Sequence, residues 1–184
     1  MKIINTFAIV PESLYAVQYQ DEKLNEFRRL FQKWNDIEYL ENFFNAHKVD
    51  LQREFWRDIS VKEAVFSTKK EAKILEQKLI QIAENGKTDR YDTLSSLFKP
   101  LYDNTIRIEK FEKNKVKGLR NPNWLRIYAI RLDANLFVIS GGAIKLTPTM
   151  NEREHLQMEL QKLDTTQKYL REDNDDAFEL FELF

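Results

Sequence analysis

The chain of 184 residues contains no cysteine and only four glycines, four prolines and two histidines. The lack of cysteine excludes a disulfide framework and thiolate metal sites, and it fits a reducing cytoplasm. Sparse glycine and proline argue against disordered and collagen-like chains. Two histidines that lie far apart, with no cysteine beside them, make a poor metal-binding pattern. We therefore expect neither a metal nor another cofactor.

Several motif classes are missing as well. The sequence holds no Walker loop, no dinucleotide fingerprint and no nucleophile elbow. No N-terminal apolar run resembles a signal peptide and no segment is long enough to span a membrane, so we expect a cytoplasmic protein without a membrane partner. The length and the aromatic content of 12% instead predict a single domain with a large core.

The charges are unevenly distributed although the net charge is only −1. Residues 105–147 hold nine Lys and Arg residues against three acids, a net charge of +6, so the rest of the chain carries −7. Six acids lie in residues 172–184, an acidic and aromatic tail that is disordered, docks on the chain's own basic face or docks on a partner. A basic segment in an acidic chain suggests an anionic partner, although cations that merely solvate exposed strands explain the pattern equally well.

The basic segment has the pattern of a β-hairpin. Two apolar runs, residues 124–132 and 136–140, flank a turn-like Asp-Ala-Asn. The glycine pair that follows permits a bulge before residues 143–147 continue as strand. Upstream, alternation over residues 105–110 predicts another strand. The polar exceptions within these strands suggest a sheet with one face on a core and the other offered to an anion, and they are Arg126, Arg131 and Lys145.

The N-terminal half reads as a hairpin followed by helices. Residues 6–10 and 14–19 form the two strands around a Pro-Glu-Ser turn. Aromatic and aliphatic residues then recur at helical spacing over 24–34 and 37–47, where core packing explains them far better than base stacking. Asn35 with Glu38 has the spacing of a capping box that opens the second helix.

A longer helix follows a second capping box, Ser60 with Glu63, and ends at Asn85-Gly86. It carries a heptad seam of Val61, Val65, Thr68, Ala72, Leu75, Leu79 and Ile82. A closing helix is predicted from about Met150 to Arg171, behind a capping box of Thr149 and Glu152, with a similar stripe of Leu156, Leu160, Leu163 and Leu170. We expect the two helices to pack together; the alternative is a homodimer through the seam.

Residues 105–171 resemble RelE/HigB-like toxins of bacterial type II toxin–antitoxin systems, phage-derived HigB-like members in particular. The resemblance lies in a basic strand at 115–118, the text WLRIYAIRLDANLFVISGGAIKLTPTM and a helix that ends in QKYL. It implies an α+β fold with an antiparallel RelE-like sheet and a closing C-terminal helix. In the same domain, residues 1–58 would form an N-terminal hairpin and two helices, and residues 59–104 a long heptad-like helix with a connector, a mostly helical elaboration.

The resemblance also implies a function. Toxins of this kind cleave mRNA on the ribosome by attack of a ribose 2′-OH on the neighbouring phosphate, without a metal, and a small helix-turn-helix antitoxin controls them. The residues that the resemblance makes catalytic candidates are Arg126, Lys145 and His155. Those expected to contact RNA are Lys115, Lys117, Arg120, Trp124, Tyr128, Arg131 and Thr147. Two alternatives stay open, a non-catalytic interaction module on the same fold and a ParE-like toxin that binds gyrase.

Overall fold

The computed structural model describes residues 1–56, 59–101, 110–119 and 123–172. These ranges form an α+β fold in which a six-stranded mixed sheet carries helices on both faces. The strands are β1 (Ile3–Val10), β2 (Leu14–Tyr19), β3 (Lys99–Pro100), β4 (Glu112–Lys117), β5 (Leu125–Asp133) and β6 (Leu136–Ile144). The helices are α1 (Glu26–Asn35), α2 (Ile37–Ala46), α3 (Lys48–Leu51), α4 (Val61–Asn85) and α5 (Glu154–Glu172), with 3-10 turns at Glu54–Trp56 and Leu94–Ser96.

The sheet has the strand order β1-β2-β6-β5-β4-β3. Both predicted hairpins, β1–β2 and β5–β6, are confirmed, and β4, β5 and β6 pair antiparallel as predicted for this segment. The complete sheet is not purely antiparallel, because β2 pairs with β6 in parallel. The N-terminal hairpin adds to the edge of the central hairpin, and the helices between them form the crossover that parallel strands require. The strand predicted at residues 105–110 lies, apart from Lys110, outside the described residues, and Lys110 is in a turn.

β6 contains a bulge at Ser140, one residue before the glycine pair at which the sequence permits it. Tyr128 of β5 pairs with Gly141 while its neighbour Ala129 pairs with Ile139, so Ser140 is the extra residue. The bulge reverses the alternation of side chains along the rest of the strand. Ile139 and Ile144 therefore belong to the same core, on the α1 side of the sheet.

Two separate cores lie on the two faces of the sheet. Helices α1, α2 and α4 cover one face, and α5 covers the other. The predicted pairing of α4 with α5 is wrong, because each apolar stripe packs in a different core: Leu75 and Leu79 in the first, Leu156 and Leu163 in the second. The α4 seam is buried inside the chain, with Leu75 and Leu79 both 0% exposed, and so offers no surface for the predicted homodimer.

The helix ends follow local capping chemistry. The Ser60–Glu63 capping box is confirmed, whereas α2 is capped by Asp36, one residue later than predicted, whose side chain accepts from the Tyr39 N–H. Glu152 does accept from Thr149, as predicted. That bond closes a turn ahead of α5, so the helix begins at Glu154 rather than near residue 150.

Candidate functional site: a cationic pocket beside α5

Strand alternation sends four cations from neighbouring strands to the α5 side of the sheet. Lys115 and Lys117 lie on β4, out of phase with Val116, which belongs to the core on the opposite face. Lys117 pairs directly with Arg126 of β5. Lys145 follows β6, and its backbone N–H donates to the Trp124 carbonyl, which holds it beside the start of β5. Like charges are therefore gathered from three consecutive strands.

These four cations line one open pocket of about 420 Å³. Its remaining described lining is Leu101, Tyr128, Leu160 and residues 148–151, and none of the described residues that line it is an Asp or Glu. We call this the cationic pocket. A concave surface that concentrates one sign of charge raises the local concentration of ligands of the opposite sign.

Backbone carbonyls fix the position of Arg126. Its Nη1 donates to the carbonyl oxygens of Asn123 at 3.0 Å and Leu125 at 2.7 Å. Nε and Nη2 have no protein partner among the described residues, so the outer edge of the planar guanidinium is available to a ligand. Burial lowers the pKa of Arg126 below its ordinary value, but guanidinium stays protonated throughout the physiological range.

Lys145 is held in the same way. Its Nζ donates to the carbonyl of Thr147 at 2.7 Å and to that of Pro148, leaving one N–H of the ammonium. Burial, followed by the positive charge of Arg126, lowers the pKa of the Lys145 ammonium. Thr147 thus contributes its carbonyl to positioning Lys145, and its hydroxyl donates to the Thr149 carbonyl at 2.9 Å instead of facing the pocket as predicted.

Two predicted RNA contacts are wrong because their side chains belong to the other face of the sheet. Trp124 is 4% exposed, packs against Phe44 and Trp56, and donates to Thr68 Oγ1 at 2.8 Å. Arg131 lies on β5 in phase with Ala129 of the same core and not with Arg126. A tryptophan in a core cannot stack on a base, and Arg131 does not face the pocket.

Two other predicted contacts have different outcomes. Tyr128 lines the pocket, but it is 1% exposed, so its ring is not available for stacking. Its hydroxyl donates to Met150 Sδ at 2.9 Å, and burial raises its pKa well above the ordinary value. Arg120 lies outside the described residues.

His155 does not belong to the cationic pocket, so its predicted partnership with Arg126 and Lys145 is wrong. The chain turns at residues 148–153 before α5 begins, which places His155 against the end of β6, where Nε2 lies 3.1 Å from the Ile144 carbonyl. Its ring packs against Phe43 and lies 5.1 Å, centre to centre, from His47. Lys145 is therefore the one predicted proton-transfer candidate that the structure brings to Arg126.

A second cavity, which the sequence did not predict, lies where β2 and β6 separate. It measures about 530 Å³ and includes His155 in its wall; we call it the β2–β6 cleft. Its floor is a buried charge cluster in which Glu26 accepts from Arg29 at 2.6 and 2.7 Å, and Lys162 bridges Glu26 at 3.0 Å and Glu159 at 2.9 Å. Burial raises the pKa of the Glu159 carboxyl to about 7.

Comparison with known proteins gives no relative for this arrangement: no family model, no curated protein and no solved structure matches the chain. Over the described ranges no group of three or more His, Cys, Asp and Glu residues is placed to hold a metal ion. Within the same ranges, no helix combines the length and the apolar character needed to cross a membrane.

Proposed function

We propose that the cationic pocket binds the phosphate backbone of RNA, and that the protein cleaves the bound strand without a metal, as a toxin-like component of a toxin–antitoxin system. The observation that carries this proposal is the convergence of Lys115, Lys117, Arg126 and Lys145 on one pocket whose described lining contains no carboxylate. The resemblance of residues 105–171 to RelE/HigB-like toxins supports the choice of RNA.

The groups in the pocket suit the chemistry of 2′-OH attack. That reaction requires a base for the 2′-hydroxyl, positive charge for the phosphorane that forms, and an acid that protonates the 5′-oxygen as its bond to phosphorus breaks. The free edge of Arg126 matches two phosphate oxygens. Lys145, whose pKa is lowered, is the candidate for proton transfer, because a lysine closer to neutrality exchanges its proton more readily. An antitoxin with a helix-turn-helix domain and ribosome-bound mRNA are the partners that this proposal requires.

A second candidate function is binding without cleavage. The position of His155 favours it, because this side chain lies against the Ile144 carbonyl and not beside Lys145, and the described lining of the pocket contains no other histidine and no carboxylate. Under this reading the pocket is a docking surface for an anionic partner and the fold serves as an interaction module. A ParE-like action on gyrase has no observation of its own to favour it.

An RNA-cleavage assay separates these functions. The purified chain is tested alone and in a translation extract that contains ribosomes and mRNA. The wild type should cut mRNA in the presence of EDTA and leave a 2′,3′-cyclic phosphate, and a deoxyribose at the cut site should block the reaction. Arg126→Ala should lower the rate by roughly two to three orders of magnitude, as loss of one transition-state donor does. Lys73→Ala, which removes an exposed lysine on α4, is the matched control and should leave the rate unchanged.

The outcome in cells should agree. Expression of the wild type should arrest growth and translation, and Arg126→Ala should relieve the arrest while melting at nearly the same temperature. RNA binding without cleavage or growth arrest would select the interaction module. If the wild type binds RNA no more tightly than a variant lacking all four cations, the proposal is wrong.

A further inference from the structure

The β2–β6 cleft exists because two parallel strands stop pairing before they end. Their ladder consists of three residue pairs, from Leu14↔Phe137 to Ala16↔Ile139. Both strands continue, β2 to Tyr19 and β6 past the Ser140 bulge to Ile144. The Tyr19 hydroxyl donates to the Ser140 carbonyl at 3.0 Å, and the cavity opens beyond this bond. Crevices at the carboxyl ends of parallel strands are common places for small ligands.

The glycine pair of β6 creates room on both sides of the strand. At Gly141 a Cβ would collide with Glu159 Oε2, so the absence of a side chain lets this carboxylate approach the strand. At Gly142 a Cβ would lie 2.6 Å from the Arg126 carbonyl and 2.8 Å from Leu30. A larger residue at either position would therefore force the strand or the cleft to rearrange.

The cleft has one aromatic wall and a lining of balanced charge. Trp34, Tyr39 and Phe43 contribute rings, with Tyr39 and Phe43 nearly parallel at 29° and 6.3 Å apart. The charged side chains in the lining are three of each sign: Asp21, Glu22, Glu159, Arg29, Lys33 and Lys162. The cleft thus differs from the cationic pocket, since no single sign of charge dominates it.

Among the described residues, Arg29, Lys162 and one oxygen of Glu159 are paired within the protein, whereas the ammonium of Lys33 and the other oxygen of Glu159 are not. Both oxygens of Glu26 accept from Arg29, and one of them also accepts from Lys162, while Glu159 Oε1 accepts from Lys162 as well. Glu159 Oε2 is buried and has no hydrogen-bond partner among the described residues. Glu159 belongs to the lining of the cleft, so this oxygen is the unpaired acceptor nearest to a ligand bound there.

The other unsatisfied group is the ammonium of Lys33. It lies 5.6 Å from the centre of the Tyr39 ring and forms no ion pair with any described residue. Burial, followed by the positive charge of Arg29, lowers its pKa. The ammonium of Lys33 is therefore partly desolvated and has no ion-pair partner among the described residues, whereas a buried acceptor oxygen of Glu159 lacks a donor.

We propose that the β2–β6 cleft is a second ligand site, which binds a small zwitterion with an aromatic ring. The ammonium of such a ligand donates to Glu159, its carboxylate lies at Lys33, and its ring packs on Tyr39 and Phe43. Each charge of the ligand then supplies the partner that one protein group lacks, and the aromatic wall contributes apolar contact. Aromatic α-amino acids belong to this chemical class.

Three probes with one ring and different charges test this assignment on the full chain. They are phenylalanine, phenethylamine, which lacks the carboxylate, and 3-phenylpropanoate, which lacks the amine. In NMR titrations at a pH above that at which Glu159 ionises, phenylalanine should shift the resonances of the cleft with a Kd on the order of 1 mM or below. Each truncated probe should bind at least about tenfold more weakly, since a charge-assisted contact is lost.

Two variants show which end of the probe meets which residue. Lys33→Met should weaken phenylalanine and 3-phenylpropanoate and leave phenethylamine unchanged. Glu159→Gln should weaken phenylalanine and phenethylamine and leave 3-phenylpropanoate unchanged. Lys145→Met in the cationic pocket and Lys73→Met on α4 are the controls and should change none of the three affinities.

Several results would overturn the assignment. They are equal or tighter binding of either truncated probe to the wild type, loss of all probes alike in Lys33→Met, or weakening by Lys145→Met. Absence of shifts at cleft residues with all three probes would overturn it too. Lys33 is half-buried and belongs to no described ion pair, so Lys33→Met should leave the fold intact. This variant therefore still tests the assignment if Glu159→Gln impairs folding.

Discussion

The cationic pocket and the β2–β6 cleft gather similar numbers of charged side chains and arrange them in opposite ways. In the pocket, four cations lie together, and Lys115, Arg126 and Lys145 are held by backbone carbonyls. In the cleft, carboxylates and cations alternate, and Lys162 joins two acids. Charges that stabilise the fold itself come in pairs of opposite sign. Like charges held close together destabilise the fold, and binding of a ligand of opposite charge restores that stability.

The largest effect on stability is expected from breaking the paired cluster. Glu26 is 0% exposed and accepts from both Arg29 and Lys162. Glu26→Ala leaves two buried cations without this partner and should lower the free energy of unfolding by about 3–5 kcal/mol. Urea denaturation measures it. Glu22→Ala removes a more exposed carboxylate 3.8 Å from Arg29 and should cost under about 1 kcal/mol; equal losses would show that the cluster does not hold the fold.

Leucine truncation distinguishes the buried seam from the rim of the cationic pocket. Leu75 is 0% exposed in the first core, and Leu75→Ala should cost about 2–5 kcal/mol. Leu160 lies partly exposed at the pocket, so Leu160→Ala should cost less than this range, although the sequence places both leucines on similar stripes. Thermal and urea unfolding of both variants checks the order, and a larger loss at Leu160 would contradict the packing described for α5.

Titration of Glu159 provides a pH test of the cleft. Burial raises the pKa of its carboxyl to about 7, and the negative charge of Glu26 raises it as well. The positive charges of Lys162 and Arg29 act in the opposite direction. Because the folded state then holds a proton that the unfolded state has released, stability falls as pH rises from about 4.5 to 7. The difference in unfolding free energy between wild type and Glu159→Gln should decrease by roughly 2–3 kcal/mol over this window. A constant difference would show that Glu159 titrates normally.

The smallest stability effect is expected in the cationic pocket. Lys145→Met keeps the aliphatic part of the side chain, removes two hydrogen bonds to carbonyls and relieves repulsion from Arg126. These effects oppose each other, so the free energy of unfolding should change by less than about 1 kcal/mol. Differential scanning calorimetry measures it. A loss as large as that of Glu26→Ala would make Lys145 a structural residue.

The features that the sequence predicted correctly are those that depend on residues close together in the chain. The cationic pocket could be anticipated because β4, β5 and β6 are consecutive antiparallel strands, and alternation then decides which of Arg126, Arg131 and Lys145 can meet. The prediction failed for Arg131 because β5 carries apolar residues on both faces, so the pattern does not show which face packs on a core. The Ser60 cap and the Ser140 bulge were equally local.

Long-range pairings were not predictable in this way. The β2–β6 cleft depends on strands separated by more than a hundred residues, and Glu26, Arg29, Glu159 and Lys162 each look like ordinary helix-surface residues in the sequence. The pairing of α4 with α5 failed for the same reason, since two similar leucine stripes do not reveal that a sheet lies between them. His155 was assigned to the wrong cavity because the closing helix was predicted to begin near Met150, whereas it begins at Glu154.

The salt dependence of RNA binding tests the central claim most directly. If the four pocket cations displace counterions from the phosphates of single-stranded RNA, the slope of log K against log salt should be about −0.7 for each phosphate contacted, and Lys145→Met should reduce its magnitude by about 0.7. Lys73→Met, with the same change of charge on α4, should leave the slope unchanged. Equal slopes for the wild type and Lys145→Met would contradict the assignment of the cationic pocket as the RNA site.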